Sequence, residues 1–317
     1  MLSIPQRSFG STGLKASALG LGGGEIGGND LDDTEVEKFL NTAVDEGITL
    51  IDTARAYGKS EERIGKFLSH RRNEIVLSTK VGYGIPGHQD WTASCIIAGV
   101  DEALRLLRTD YLDIVHLHSC PKEILQRGEV VEALLQCVET GKVRVAAYSG
   151  ENEALDEAVA SGKFGSIQCS VNLCDQRNLD NAVKRASEKG FGVPVRRSGN
   201  DNSELKDTFR HAGVIAKRPA ANAPWRFSEQ PRGHYGEQYW LRWKAMNVDP
   251  HGIEWDELFL RFAVFAPEVH SAIVGTRNIE HLRRNIACVN NGPLPDDLAA
   301  HLRSSFQKHD EGWMGLV

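Results

Sequence analysis

The sequence has few features of a secreted, membrane-bound or nucleic-acid-binding protein. Its six cysteines form no CxxC pair and no regular spacing, so we expect free thiols in a reducing cytoplasm rather than a disulfide framework. It has no uninterrupted apolar run of about 18 residues, and its opening MLSIPQRSFG lacks the apolar stretch of a signal peptide. The net charge of −6 gives no indication of a basic surface for nucleic acid or an anionic membrane.

Internal repeats and low-complexity tracts are also missing from the sequence. The 317 residues are 41% apolar and 25% charged, which is ordinary for a globular protein. This length permits one or two domains, and single (β/α) barrels of such a size are common. Apolar segments alternate with helical ones along the chain, which favours a parallel sheet with helices outside it.

Seven apolar segments are clear strands, and one more strand would close an eight-stranded barrel. Two segments compete for that place, Phe191–Val195 and Gly213–Lys217. We choose Gly213–Lys217, because Pro194 would remove a ladder hydrogen bond from a central strand. Residues 191–210 then become an insertion near strand seven, and we predict that Pro194–Arg210 within it is a mobile surface excursion. The seven other strands are predicted to begin at Ala18, Ile48, Glu74, Tyr111, Val143, Ser166 and Ser271.

Other segments flank this predicted barrel. Arg7–Leu14 is typical of a β-hairpin that forms a lid ahead of the main fold. Asp33 and Thr34 are predicted to start a helix, with Glu37 completing a capping box. The long loop 220–250 follows a late strand and should lie over the carboxyl ends of the strands, where its rings either line a substrate pocket or anchor the loop. Its aromatic residues are Trp225, Phe227, Tyr235, Tyr239, Trp240 and Trp243.

The stretch Ile48–Lys80 carries the strongest functional signal. Its two strands are joined by a helical segment, so they should be parallel neighbours. Asp52 and Lys80 would then lie side by side at the carboxyl ends, with Tyr57 one loop away. A phenol titrates near ~10, and an ammonium group within roughly 4–6 Å favours the phenolate, which makes Tyr57 a better proton donor. Asp52 would keep Lys80 charged, although the pattern alone also fits a structural ion pair.

Two histidines and a glycine-rich loop add candidate residues. His116 and His118 are two apart on the fourth predicted strand and therefore point to the same side of it. The segment GLGGGEIGG lets backbone approach a ligand closely, which brings Gly23 and Gly24 into the predicted cofactor site. No helix opens directly from this loop, so its GxGxxG-like spacing does not indicate a Rossmann fold.

Asp52, Tyr57, Lys80 and His118 follow one another at the ends of strands two, three and four, an order that resembles the aldo-keto reductase family. The segments DTARAYGKSEERIG, STK, YLDIVHLH, ETGKVRVAAYSGEN and IVGTRNIEHLRRNI extend the resemblance over nearly the whole chain. It implies one TIM-barrel domain, residues 1–317, that binds NADPH across the strand ends and reduces an aldehyde or ketone to an alcohol. By resemblance, Tyr57 protonates the carbonyl oxygen and His118 orients the carbonyl, while Lys80 tunes Tyr57 and is itself supported by Asp52. His116 lies one layer deeper and is interpreted as a core residue.

The resemblance also implies which residues contact the cofactor. Ser149 and Gln168 correspond to nicotinamide contacts, and Arg277 with the helix start near Asn278 forms an anion site. The family's usual nicotinamide-stacking tyrosine corresponds to Lys217. The phosphate contacts correspond to Gly275, Thr276, Arg277, His281 and Asn285.

Two departures from the family pattern affect this site. Lys217 cannot stack as an aromatic ring does, and its charge would disfavour oxidised NADP. Either Arg218 or a loop aromatic replaces the ring, or cofactor binding is weaker than usual. Gly150 stands where the family commonly has asparagine, so one carboxamide hydrogen bond is either absent or supplied by Asn152.

Two other functions fit parts of the pattern. Redox-sensing regulatory proteins such as potassium-channel beta subunits resemble these reductases but turn over little. A metal-dependent amidohydrolase would also carry a His-x-His strand, but on the first strand, and it would leave Tyr57 and Lys80 unused. We expect a small-molecule partner, no metal, no nucleic acid and no membrane; the sequence names neither the substrate nor the oligomeric state.

Overall fold

The computed structural model describes residues 4–188, 191 and 211–316. The chain begins with an antiparallel hairpin of β1 (Gln6–Ser8) and β2 (Lys15–Ser17). Eight parallel strands then close into a barrel, in which the last strand pairs with both the first and the seventh. These strands are β3 (Leu19–Gly22), β4 (Leu50–Asp52), β5 (Val76–Val81), β6 (Leu112–His118), β7 (Val143–Ser149), β8 (Ser166–Ser170), β9 (Gly213–Lys217) and β10 (Ser271–Gly275).

This topology confirms the predicted (β/α)8 barrel, and Gly213–Lys217 is its seventh strand, as predicted. Helices lie between and after the strands, and none of the described helices is long and apolar enough to cross a membrane. They are α1 (Asp33–Asp45), α2 (Ser60–Leu68), α3 (Ala93–Leu107), α4 (Lys122–Arg127), α5 (Glu129–Glu139), α6 (Asn152–Ser161), α7 (Lys184–Glu188), α8 (Glu237–Met246), α9 (Trp255–Val264), α10 (Ile279–Asn290) and α11 (Asp296–His309). Short segments of 3₁₀ or π helix occur at Gly23–Ile26, Ser69–Glu74, Leu179–Val183 and Pro224–Arg226.

The main core lies between the strands and the surrounding helices. In α3, Ile96, Val100, Ala103 and Leu107 recur every three or four residues and are buried against the barrel. All six residues of β5 are buried, as expected for a parallel strand covered on both faces. The apolar periodicity of the sequence therefore fixes which face of each helix contacts the barrel.

The hairpin closes the amino end of the barrel and does not cover the end that carries the polar side chains. Phe9 and Leu14 of its loop pack against the first inward-facing residues of the strands. The Phe9 ring lies where a Cβ atom on Gly213 would stand, only 2.1 Å away, so that position requires glycine. Strand pairing extends from Gln6 to Ser17, beyond the predicted range Arg7–Leu14.

Two local predictions need comment. Helix α1 is capped by Asp32, whose Oδ1 accepts from the Thr34 backbone N–H at 2.7 Å, so the predicted Thr34–Glu37 capping box is wrong. The predicted insertion 191–210 lies outside the described residues except for Phe191, which is buried in the main core. Its mobility stays a prediction.

Candidate active site

A buried ion pair forms the floor of the site. Asp52 is the last residue of β4, and Lys80 stands near the end of the neighbouring strand β5. Lys80 Nζ lies 2.6 Å from Asp52 Oδ2 and donates also to the Thr53 carbonyl at 2.8 Å. Asp52 Oδ1 accepts from Ser78 Oγ at 2.8 Å and from Gln168 Nε2 at 2.9 Å. The carboxylate is thus fixed by three side chains, and both charged groups are 1% exposed.

Burial and charge act against each other in this pair. Burial by itself raises the pKa of Asp52, but the Lys80 ammonium together with the other partners of the carboxylate outweighs it, and they hold that pKa below its usual range. Burial by itself lowers the pKa of Lys80, but attraction to Asp52 and then to Tyr57 raises it. Both residues are therefore charged at neutral pH, and the floor of the site carries a fixed ammonium group.

Tyr57 stands directly beside that ammonium group. The Lys80 Nζ is 4.9 Å from the centroid of the Tyr57 ring. The loop that carries Tyr57 passes so close to Gly27 that a Cβ atom there would lie 1.8 Å from the Tyr57 carbonyl oxygen. Glycine at position 27 thus allows the approach that sets the height of Tyr57 above Lys80. The ring is half-buried and forms part of a cavity wall.

His118 ends β6 and faces the same cavity. Its ring meets the Tyr57 ring edge to face, with centroids 6.1 Å apart. Burial, and next the nearby Lys80, lowers the pKa of His118 to about 3, so its imidazole is neutral at physiological pH. Its Nδ1 lies 2.9 Å from the hydroxyl of Tyr83. Sequence reasoning did not find Tyr83, which follows Lys80 by three residues on the next loop.

His116 lies beneath these residues in the core, as predicted. It is fully buried, and its Nε2 is 3.1 Å from Ser78 Oγ. Because Ser78 donates its proton to Asp52, its oxygen is free to accept from His116 Nε2–H. Burial lowers the pKa of His116 to about 4. His116 therefore supports the ion pair through Ser78 and does not line the cavity.

A single cavity of about 800 Å³ joins the candidate catalytic residues to the candidate cofactor contacts. The glycine loop contributes Gly22 and Gly24 to it, whereas Gly23 packs against Ser60 instead of lining the cavity as expected. Of the six aromatic residues singled out in the long loop, the cavity wall contains only Tyr235. The predicted contacts that do line it are Asp52, Tyr57, Lys80, His118, Gly24, Ser149, Gln168, Lys217, Arg218, Gly275, Thr276, Arg277, His281 and Asn285.

The other aromatic residues of the loop mainly anchor it. Trp225 packs on Phe259 of α9 at 4.8 Å between centroids. Trp243 meets Trp255 edge to face at 5.1 Å, and Tyr239 is fully buried in a second apolar cluster. The anchoring alternative is therefore the better description of this loop, with the 69% exposed Tyr235 as its exception at the cavity.

The charge on Lys217 has a buried counterion. Its Nζ lies 3.3 Å from Oε1 of Glu151, a side chain with no exposed surface. Glu151 also accepts from the Ser170 backbone N–H at 2.7 Å. The charge of Lys217, which we expected to disfavour oxidised NADP, is therefore offset by the buried carboxylate of Glu151.

Two residues that we expected as replacements bind the carboxyl-terminal segment. Asn152 donates to the Gly315 carbonyl at 3.1 Å and accepts from the Gly315 N–H at 2.8 Å, and it does not line the cavity. This favours the alternative in which the carboxamide hydrogen bond expected beside Gly150 is absent. Arg218 donates to the Leu316 carbonyl at 2.6 Å while it also lines the cavity. These bonds tie the end of the chain to the rim of the site.

The far end of the cavity carries a cation. Arg277 is exposed, and among the described residues it has no acidic partner within ion-pair distance. Asn278 caps α10, with its Oδ1 accepting from the backbone N–H groups of Glu280 and His281. Because Asn278 already uses these two amides, the predicted anion site depends on side chains more than on the helix N-terminus.

The fold and the site together define a class of protein. A parallel eight-stranded barrel holds a charged Asp–Lys pair, a tyrosine and a neutral histidine at the carboxyl ends of its strands, where barrel enzymes place their chemistry. The sequence matches the aldo/keto reductase family over residues 18–306. The chain belongs to this family. It is therefore an oxidoreductase that acts on carbonyl groups of small molecules, in a family that uses nicotinamide cofactors.

Individual relatives support the same assignment. The chain is 31% identical to L-galactose dehydrogenase of Arabidopsis thaliana over 91% of its own length and 89% of that protein. It is also 31% identical to aldo-keto reductase YhdN of Bacillus subtilis (strain 168), over 57% of this chain and 58% of YhdN. The solved holo form of aldo-keto reductase AKR11C1 from Bacillus halodurans superimposes with a TM-score of 0.75, covering 95% and 96% of the two chains at 23% identity, which supports the fold.

Proposed function

We propose that this protein uses NADPH to reduce the carbonyl group of an aldehyde or ketone, with Tyr57 as the general acid. One observation carries the proposal: the buried Lys80 ammonium, fixed by Asp52, lies 4.9 Å from the Tyr57 ring on the wall of the cavity. An ammonium group in this place stabilises the phenolate left behind when Tyr57 gives up its proton. The whole chain, residues 1–317, would form one domain around this site.

The cavity fits an extended dinucleotide. Its volume of about 800 Å³ lies in the range of ligand and cofactor sites. Ser149 and Gln168 line the cavity near Asp52, which supports a role for them at the nicotinamide end. Arg277 lines the outer part of the cavity, which supports a contact with the 2′-phosphate. NADPH bound there would supply the hydride that adds to the carbonyl carbon.

The residues of this chain would then complete the reduction. The neutral His118 donates a hydrogen bond that orients the carbonyl oxygen towards Tyr57. Tyr57 transfers its proton to that oxygen as negative charge develops on it. Lys80 keeps its charge throughout, because Asp52 holds it, and Glu151 offsets the charge of Lys217 near the cofactor ring. The six free, buried cysteines support the proposal of a reducing, cytoplasmic location.

A substrate screen with a matched pair of variants tests the proposal. NADPH oxidation is followed against aldehydes, ketones and sugars, while NADPH and NADH binding is measured by protein fluorescence. Tyr57→Phe should lower turnover by roughly 10²–10⁴, the usual size of general-acid catalysis, and leave NADPH affinity near wild type. Tyr111→Phe, the same change at the opposite end of the barrel, should leave both unchanged.

Two results would count against the proposal. Near-normal turnover in Tyr57→Phe would show that Tyr57 is not the proton donor. Tight NADPH binding by the wild type without turnover of any carbonyl would favour the alternative, a redox-sensing regulatory protein on the same fold.

A further inference from the structure

Tyr83 contacts His118 through both its hydroxyl group and its ring. Its hydroxyl lies 2.9 Å from His118 Nδ1, and the two rings stack with centroids 5.6 Å apart at an angle of 21°. Tyr83 is not among the residues that line the cavity, whereas His118 is. In the part of the chain that the structure describes, His118 Nε2 has no hydrogen-bond partner. One ring nitrogen is thus used by the protein, and the other remains for a ligand.

The loop that carries Tyr83 is held in one conformation. The ring of Trp91 also contacts the Tyr83 ring, with centroids 5.8 Å apart, and the Trp91 backbone adopts φ +59°, which is costly for a bulky residue. Gly82 makes room for it, because a Cβ atom there would lie 2.2 Å from the Trp91 ring. Asp90 ties the loop by accepting from the Gly84 N–H at 2.9 Å. Strain of this kind persists only where surrounding contacts enforce it, and here they fix Tyr83 against His118.

The chemistry of the two rings decides which of them donates. A neutral imidazole nitrogen is a stronger acceptor than a phenol oxygen, and a phenol is the stronger donor. Burial raises the pKa of Tyr83, so its hydroxyl keeps its proton. Burial lowers the pKa of His118 to about 3, so the ring carries one proton only. If Nδ1 accepts from Tyr83, that proton must be on Nε2.

We propose that Tyr83 is a positioning residue that holds His118 in the tautomer with its proton on Nε2. This hydrogen faces the cavity, where it donates to the oxygen of a bound carbonyl. Without the Tyr83 hydroxyl both tautomers would be populated, and one of them turns a lone pair towards the carbonyl oxygen. The tautomer itself stands on the geometry, and only its effect on turnover rests on the proposed function.

Nuclear magnetic resonance reads the tautomer without any turnover. The full-length protein is labelled with ¹⁵N in its histidine rings, and the His118 signals are assigned by their loss in His118→Gln. The wild type should show an unprotonated Nδ1 and a protonated Nε2 at neutral pH. Tyr83→Phe keeps the stacked ring and should shift both signals towards a mixture of tautomers. A protonated Nδ1 in the wild type, or unchanged signals in Tyr83→Phe, would overturn the proposal.

Kinetics then tests whether Tyr83 acts through His118. Tyr83→Phe should lower kcat/KM for a carbonyl substrate by about 2- to 10-fold, the factor that corresponds to one net neutral hydrogen bond. In a His118→Gln background Tyr83→Phe should lower kcat/KM no further, because glutamine has no ring tautomers for Tyr83 to select. Tyr111→Phe serves as the control for removal of a tyrosine hydroxyl elsewhere in the fold. An equal loss in both backgrounds would contradict a role through His118.

The two readouts separate the possible failures. If the protein shows the expected tautomer but reduces no carbonyl, the proposed function fails while the assignment of Tyr83 stands. If the protein reduces carbonyls but the tautomer is the other one, the proposed function stands and Tyr83 has no positioning role.

Discussion

Two buried aspartates lie at opposite ends of the barrel and differ in what surrounds them. At the amino end, Asp113 of β6 binds Arg72 and Arg144, each at 2.7 Å, and accepts from the Leu77 N–H at 2.9 Å. At the carboxyl end, Asp52 binds Lys80 at 2.6 Å. Both carboxylates are only 1–2% exposed and both have cationic partners. A buried ion pair therefore does not by itself distinguish a functional site from scaffold.

The difference lies in the cation. Arg72 uses its remaining donors on the backbone of Ile75 and Tyr111 and on the Thr109 hydroxyl, so the arginine serves only to clamp segments together. Lys80 has three donor hydrogens. Asp52 and the Thr53 carbonyl take two of them, and the head of Lys80 lies beside Tyr57 at the cavity. A buried cation that keeps a free donor hydrogen beside a residue of the cavity wall is therefore the feature that indicates a catalytic role.

The largest expected effect comes from neutralising each aspartate in turn. Asp52→Asn and Asp113→Asn should each lower the free energy of unfolding by about 3–5 kcal/mol, the usual cost of removing one partner from a buried ion pair. Only Asp52→Asn should also lower kcat, by about tenfold or more. Without that carboxylate, burial lowers the pKa of Lys80, and each pKa unit is a tenfold change in its protonation equilibrium.

Urea unfolding measures the first quantity, and initial rates of the folded fraction measure the second. If Asp113→Asn reduced kcat as much as Asp52→Asn at equal folded fraction, the proposed difference between the two aspartates would be contradicted. Equal destabilisation of the two variants with a loss of kcat in Asp52→Asn alone would give it the strongest support.

Neutral histidines at the two ends of the barrel, one buried and one partly buried, give a smaller, pH-dependent effect. Burial lowers the pKa of His116, beneath the site, and of His270, near the amino end, to about 4 each, from an ordinary value near 6.5. Between these values the unfolded chain binds a proton that the folded chain does not. The associated stability is therefore complete above pH ~6.5 and is lost as pH falls towards ~4, about 3 kcal/mol for each group.

Glutamine at either position should reduce the pH dependence by a similar amount. Unfolding free energies of wild type, His116→Gln and His270→Gln are compared at pH 7 and pH 4.5. His270→Gln should leave kcat unchanged, because His270 contacts Phe9 and the Val214 N–H at the closed end of the barrel. If neither substitution changed the difference in unfolding free energy between pH 7 and pH 4.5, other groups would be responsible for the pH dependence.

The positions of the strands, and with them of the candidate site, could be predicted from the sequence. The strand order, and with it the approach of Asp52, Lys80 and His118, follows from the alternation of strands and helices, because parallel strands end at one edge. Pro194 sufficed to choose Gly213–Lys217 as the seventh strand. The regular alternation of strands and helices was therefore enough to predict where the candidate site lies.

Contacts between loops could not be predicted in this way. Tyr83 reaches His118 from a loop that contains Trp91 with a positive φ, a conformation that no periodicity encodes. Lys217 meets Glu151 across the ends of two strands, and Asn152 turns to the carboxyl-terminal segment. A tyrosine following the Lys80 strand, level with a histidine on the next strand, was the one available signal for Tyr83.

The smallest expected effect concerns cofactor choice at the outer end of the cavity. Arg277 is exposed there, so a phosphate that it binds keeps part of its hydration. A charge-assisted hydrogen bond typically contributes ~1.5–3 kcal/mol, or about one to two decades in affinity. Arg277→Ala should therefore weaken the binding of NADPH by this factor and leave the affinity for NADH little changed, as measured by fluorescence titration of both cofactors.

Arg283 provides the matched control for this last prediction. It lies on the same helix as His281, but it is paired with Glu46 and Glu280, and none of these three residues lines the cavity. Arg283→Ala removes the same charge from the protein and should change neither affinity. Equal losses for NADPH and NADH in Arg277→Ala would contradict a contact with the 2′-phosphate and would point to His281, because that side chain also lines the outer end of the cavity.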